Sequence, residues 1–104
     1  MKVCELIETG VFTALTLPLP EREIDGVYIG DLLSWVMGRA AENNAWITIM
    51  SNANILAVAT LADVACIILA EGVTLDKDLL ATAEAKEINV LSSSLTAYEI
   101  ARIL

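Results

Sequence analysis

The stretch "AWITIMSNANILAVATLADVACIILA", residues 45–70, contains a single charged residue, Asp63. Its reading decides the fold. Residues 53–70 alone are nearly long enough to cross a bilayer. A span there would hold Asp63 near its middle, at a cost of about 2.5–3.5 kcal/mol on insertion scales. Asn54 and Thr60 add further polarity, and no basic residue flanks the run on either side. A strand over 45–50, a helix from about Ala53, a turn at Thr60 to Asp63 and a second strand over 64–69 fit the run better. On this reading both strands and the helix, apolar nearly all round, are deeply buried.

The same alternation extends outward from this unit. Toward the amino terminus, Asp31 reads as the N-cap of a helix over 32–38, with Leu32, Leu33, Val36 and Met37 as its apolar stripe and Gly38 as its stop. A strand near 24–29 precedes it, and before that come a proline loop at 17–21, a strand over 11–16 and a helix over 2–8 closed by Gly10. Toward the carboxyl terminus a helix over 77–87 is capped by Asp76, with Leu75 placed to staple against Leu80. A strand follows over 88–92. The last helix opens on the Thr96-x-x-Glu99 capping box, with Leu95 and Ile100 in staple positions. Repeated strand and helix units with near-continuous apolar strands predict a single α/β domain over 1–104, built on a mainly parallel sheet covered by helices.

Composition narrows the function. The chain has 104 residues, 57% of them hydrophobic, with a mean hydropathy of +0.67. Ordinary soluble domains have about 45–50% apolar residues. A core of this size does not hide the excess, so part of it is expected to lie against a second copy or a partner. Net charge is −8 with six basic residues, which argues against nucleic acid and anionic membranes. The amino terminus "MKVCELIETG" carries Glu5 and Glu8 and lacks a long apolar core, so it does not read as a signal peptide. A cytoplasmic location is expected.

Catalytic signatures are missing. Without histidine there is no Ser-His-Asp or Cys-His system. Cys4 and Cys66 form no CxxC pair, and both read as small buried apolar residues. No GxxxxGK[ST] phosphate loop occurs. No metal site, no cofactor and no enzyme activity are expected.

Two groups of residues remain as candidate ligand contacts. The carboxyl ends of parallel strands deliver Gly30-Asp31, Ser51 to Asn54, Glu71-Gly72 and Ser92-Ser93-Ser94, where ligands of open α/β sheets bind. Asp31, Asn52 or Asn54, and Ser94 or Thr96 read equally as caps of the helices that follow. Arg22 is the sole basic residue between Lys2 and Arg39. Its guanidinium suits bidentate capture of a carboxylate or phosphate, or a surface pair with Glu21, Glu23 or Asp25. Trp35 and Trp46 read as core or interface residues.

The segment "EREIDGVYIGDLLSWVMGRA", residues 21–40, followed by residues 45–69, resembles the DRTGG-domain family. Arg22 and Gly26 match the Arg and first Gly of the name-giving motif; Glu21 stands in for its Asp, Asp25 for its Thr and Val27 for its second Gly. Tyr28, Gly30 to Ser34, Met37-Gly38, Trp46 to Thr48 and Asn54 look like the rest of the pattern. The resemblance implies a three-layer α/β fold similar to the amino-terminal domain of HPr serine kinase and to the substrate-side domain of Mur ligases, without the kinase's phosphate loop. It also implies a regulatory, dimerising role beside metabolic enzymes, and some stand-alone relatives are associated with hydrogenases. The expected protein is therefore a non-catalytic homodimeric module that contacts a metabolic or redox enzyme, with Arg22, Tyr28 and Trp35 as interface candidates. The alternative is a nucleotide or small-molecule sensor built from Arg22, Gly26, Asp31, Asn54 and Ser92 to Ser94.

Overall fold

The computed structural model describes residues 1–104. Its elements in chain order are α1 Val3–Glu8, β1 Thr13–Thr16, β2 Val27–Ile29, α2 Leu33–Arg39, β3 Ala45–Thr48, α3 Asn54–Ala62, β4 Cys66–Leu69, α4 Lys77–Ala85, β5 Val90–Ser92 and α5 Ala97–Ile103. The decisive run resolves as strand, helix and strand, and no helix is long and apolar enough to cross a membrane. The five strands form one sheet in the order β1-β5-β4-β3-β2. Strands β2 to β5 are parallel, and β1 closes one edge antiparallel to β5. The mainly parallel α/β architecture read from the sequence is the one observed.

Alternation along each strand divides the core between two faces. Trp46, Ile67, Leu69 and Val90 pack with Val36 of α2, Ile55, Leu56, Val58 and Ala59 of α3, and Ala83 of α4. Ala45, Ile47, Cys66, Ile68 and Leu91 pack on the opposite side with Val3 and Leu6 of α1 and Ile100 of α5. Helices thus cover both faces, three on one and two on the other. Every residue of β3, β4 and β5 is buried, as central strands of a doubly covered sheet require.

Several expected boundaries move inward. The strands expected over 11–16, 24–29, 45–50, 64–69 and 88–92 keep only three or four laddered residues each, the flanking residues lying outside the ladders. Asp31 does not cap α2, whose N-cap is Leu32 without a side-chain bond. Gly38 lies inside α2, which runs on to Arg39 before the backbone turns extended at Ala40. Asn54 is the first residue of α3 and not its cap; Asn52 Oδ1 accepts from the Asn54 amide at 2.9 Å. Helix α3 is not buried all round, since Leu61 is exposed. Cys4 is only half-buried, whereas Cys66 is fully buried. The caps Asp76 and Thr96 are observed as read, each accepting from the backbone amide three residues on.

Candidate functional site

Arg22 is held at the end of the sheet where the parallel strands begin. Its Nη2 donates to the Asp63 carboxylate at 2.8 Å and to the Asp63 carbonyl at 2.6 Å, and its Nε donates to Asn43 Oδ1 at 3.1 Å. Asn43 and Asp63 both adopt left-handed backbone (φ 67° and 56°) in the turns that lead into β3 and β4. Such conformations favour Asn and Asp among non-glycine residues. One guanidinium thus fastens the two turns that aim the central strands. Its own backbone carbonyl accepts from the Val3 amide at 3.0 Å, and Pro20 O accepts from Cys4 at 2.9 Å, so the loop also satisfies two amides left free at the start of α1. The Arg22 hydrogen bond holds the Asp63 carboxyl below its ordinary range.

The surface pairs expected of Arg22 are not the observed ones. Its anticipated surface partners are engaged elsewhere: Glu21 pairs with Lys2 at 2.7 Å and Glu23 with the amino-terminal ammonium at 3.2 Å. Asp63, forty-one positions away, was legible only as part of a turn. Beside the pair lies a cavity of about 180 Å³ lined by Leu19, Thr60, Val64, Lys86, Glu87 and Ile88, together with Arg22 and Asp63. Asn89 closes the base of this end: its Nδ2 donates to Leu19 O at 2.8 Å and Ala65 O at 3.0 Å, and its Oδ1 accepts from Leu19 N at 2.9 Å. This buried residue was missed in the sequence, where an Asn inside an apolar strand was its one signal.

Gly26 sits near the same end and is required by geometry. Its φ is +82°, and a Cβ there would lie 2.9 Å from Asn44 Nδ2, which donates to Asp25 O at 2.7 Å.

Asp31, Asn54 and Ser92 to Ser94 lie at the opposite end, so the sensor constellation is divided across the sheet. Asp31 Oδ1 accepts from Thr48 Oγ1 at 2.7 Å and from the Ile49 amide at 3.0 Å. It ties the β2–α2 connection to the exit of β3. Trp46 Nε1 donates to Gly30 O at 2.9 Å, which satisfies the one polar group of a fully buried ring. Ser92 and Ser93 are buried, and the Ser93 backbone bonds Leu69 and Gly72 while its Oγ accepts from Leu95 at 3.2 Å. Asn54 and Ser94 face solvent. A second depression lies on α5, lined by Leu95, Glu99, Arg102 and Ile103. Neither cavity is lined by Asp31, Asn54 or any of the three serines.

Of the interface candidates Arg22, Tyr28 and Trp35, the last two lie at the β2 edge, while Arg22 is held at the strand-entry end. Val27 and Ile29 are 39% and 50% exposed, Leu32 and Trp35 are 62% and 54% exposed, and Tyr28 is half-buried against the core. Trp35 is therefore not a core residue; the Arg39 guanidinium lies 3.9 Å from its ring centroid. Trp46, by contrast, is wholly buried.

Fold and site together define a small three-layer α/β module with an apolar open edge and an arginine-fastened strand-entry end. The DRTGG domain model matches residues 21–104, and the chain belongs to that family. Among curated proteins none matches the chain. A solved structure with the same fold is the CBS and DRTGG domains of the regulatory region of Clostridium perfringens pyrophosphatase, complexed with its activator diadenosine tetraphosphate. It superposes with a TM-score of 0.75 at 17% identity, over 97% of this chain and 44% of that one. This chain thus spans less than half the length of that regulatory region.

Proposed function

We propose that this DRTGG domain is a regulatory or accessory module that acts by homodimerisation and protein contact in energy metabolism, and is not itself a catalyst. Its partner on this reading is a metabolic or redox enzyme of the kind beside which such domains work, a hydrogenase among them. The observation that carries the reading is that the edge strand β2 and the helix after it leave Val27, Ile29, Leu32 and Trp35, all large and apolar, exposed. Exposed apolar side chains at an open sheet edge favour association. The high apolar content of the chain is of a piece with it. Light scattering of the purified chain at micromolar concentration is expected to give twice the 11.1 kDa chain mass; a single-chain mass at all concentrations would remove homodimerisation from the proposal.

A second reading, nucleotide sensing, is favoured by the activator bound to the pyrophosphatase regulatory region. A chain of net charge −8 would need magnesium or a second subunit to hold a polyphosphate. A dose-dependent rise in melting temperature with diadenosine tetraphosphate and magnesium would support this reading, since a ligand of the folded state stabilises by mass action.

A further inference from the structure

We infer that two copies of this chain join β2 to β2 across a twofold axis at Tyr28, making one continuous sheet with the two α2 helices side by side above the seam. The inference rests on the homodimer reading and specifies its geometry.

The backbone supplies the first argument. In the β2–β3 ladder, Ala45 N donates to Gly26 O and Gly30 N donates to Ile47 O, with Tyr28 in register with Trp46. Alternate residues of a parallel strand bond the same neighbour, so Gly26, Tyr28 and Gly30 face β3 while the amides and carbonyls of Val27 and Ile29 face outward. β2 is the outermost strand, so those groups have no strand beyond them. An edge of this kind is normally blunted by charge, proline or a bulge; Val27-Tyr28-Ile29 has none. In an antiparallel pair centred on Tyr28, Val27 of each copy faces Ile29 of the other as a hydrogen-bonded pair, giving four new bonds. The strand is self-complementary.

Helix α2 supplies the second. Its core stripe is Leu33, Val36 and Ala40. At about 100° per residue, Leu32, Trp35 and Arg39 form a stripe roughly a quarter-turn away. In a right-handed β2-α2-β3 crossover that flank points away from α3, toward the open edge. A crossover helix covers the strands it connects, so two strand spacings of about 4.8 Å would separate the paired α2 axes. That is about 10 Å, the upper end of the packing distance of helices.

Charge sets the cost of this register. Pairing β2 antiparallel also runs α2 antiparallel to its mate, with the Leu32, Trp35 and Arg39 flanks of the two helices facing each other across the seam. The same register opposes Asp25 of each copy to Asp31 of the other at each rim, a like-charge pairing that the uncharged centre of the seam must outweigh.

The test places Tyr28→Cys in a Cys4→Ser background, oxidises it, and compares it with Ile29→Pro. Proline at 29 removes an outward amide and leaves the β2–β3 ladder intact, an edge position proline tolerates. Expected are a disulfide-linked dimer of Tyr28→Cys and a single-chain mass for Ile29→Pro. If proline prevents folding, Ile29→Lys, a charge on a half-exposed side chain, is expected to give the same monomer. A wild-type dimer that survives both edge substitutions and does not crosslink at residue 28 would overturn this geometry and leave the homodimer standing. A monomeric wild type would overturn both.

Discussion

The two ends of the parallel sheet are built on opposite plans. Where the strands end, the usual ligand side of such folds, the polar residues are spent on short internal bonds: Asp31 on Thr48 and Ile49, Trp46 on Gly30, Ser93 on Leu95. Where the strands begin, one long side chain reaches across two turns from a distant loop, and a cavity opens beside it. The family's motif arginine thus stands at the end that the general rule does not favour, with a structural task already assigned. A motif residue can be kept for how it aims strands as well as for what it binds.

The contrast breaks most visibly at Arg22. Arg22→Ala leaves Asp63 and Asn43 without their shared donor, and charge-assisted bonds of this kind contribute about 1.5–3 kcal/mol. A loss of about 2–3 kcal/mol in urea unfolding is expected. Arg22→Lys is expected to recover only part of it, because an ammonium does not reproduce the fork that spans Asp63 and Asn43. Wild-type stability in Arg22→Ala would show that the turns hold themselves.

The strand-exit end is expected to yield less. Asp31→Ala removes the acceptor for Thr48 Oγ1 and the Ile49 amide, and the exposed amide can turn to water, so about 1 kcal/mol is expected. Asp31→Asn keeps an oxygen at the same place and is expected to lie within about 0.5 kcal/mol of the wild type. If Asn proves as damaging as Ala, the negative charge itself acts there.

The layer architecture was legible because it depends on periodicity: the apolar runs at 45–48 and 66–69 mark central strands, and the Thr96-Glu99 box marks a helix start wherever it occurs. Family membership was legible from Arg22, Gly26 and the residues around Trp46. The division of the candidate residues between the two ends was not. Arg22 precedes β2 and so enters the sheet from the strand-amino side, but in one dimension it stands only a few residues from Gly30 and Asp31, which leave β2 at the other end. Local chemistry misled in the same way at Asp31. An Asp before an apolar helix usually caps it, and here a threonine hydroxyl and a strand-exit amide compete successfully for the same oxygen.

The smallest effect separates the ends by pH. The Arg22 hydrogen bond lowers the folded-state pKa of Asp63 below its ordinary value of 3.8. A carboxyl lowered in the folded state contributes stability that is fully present above its unfolded pKa and is lost as pH falls through the folded one. Stability is therefore expected to fall as the solution is acidified below about pH 5, gently, because the Asp63 side chain is 55% exposed and solvent screens the pair. Glu99 contributes in the same direction, its pKa lowered by the Thr96 amide and then by the Thr96 hydroxyl. Arg22→Ala removes the first contribution and leaves the second, so its acid slope is expected to be shallower than that of the wild type. Thr96→Ala, at the other end of the sheet, is expected to weaken the Glu99 part alone. Acid unfolding curves of the three proteins at constant ionic strength make the comparison; equal slopes for wild type and Arg22→Ala would mean that the strand-entry clamp holds by geometry and not by charge.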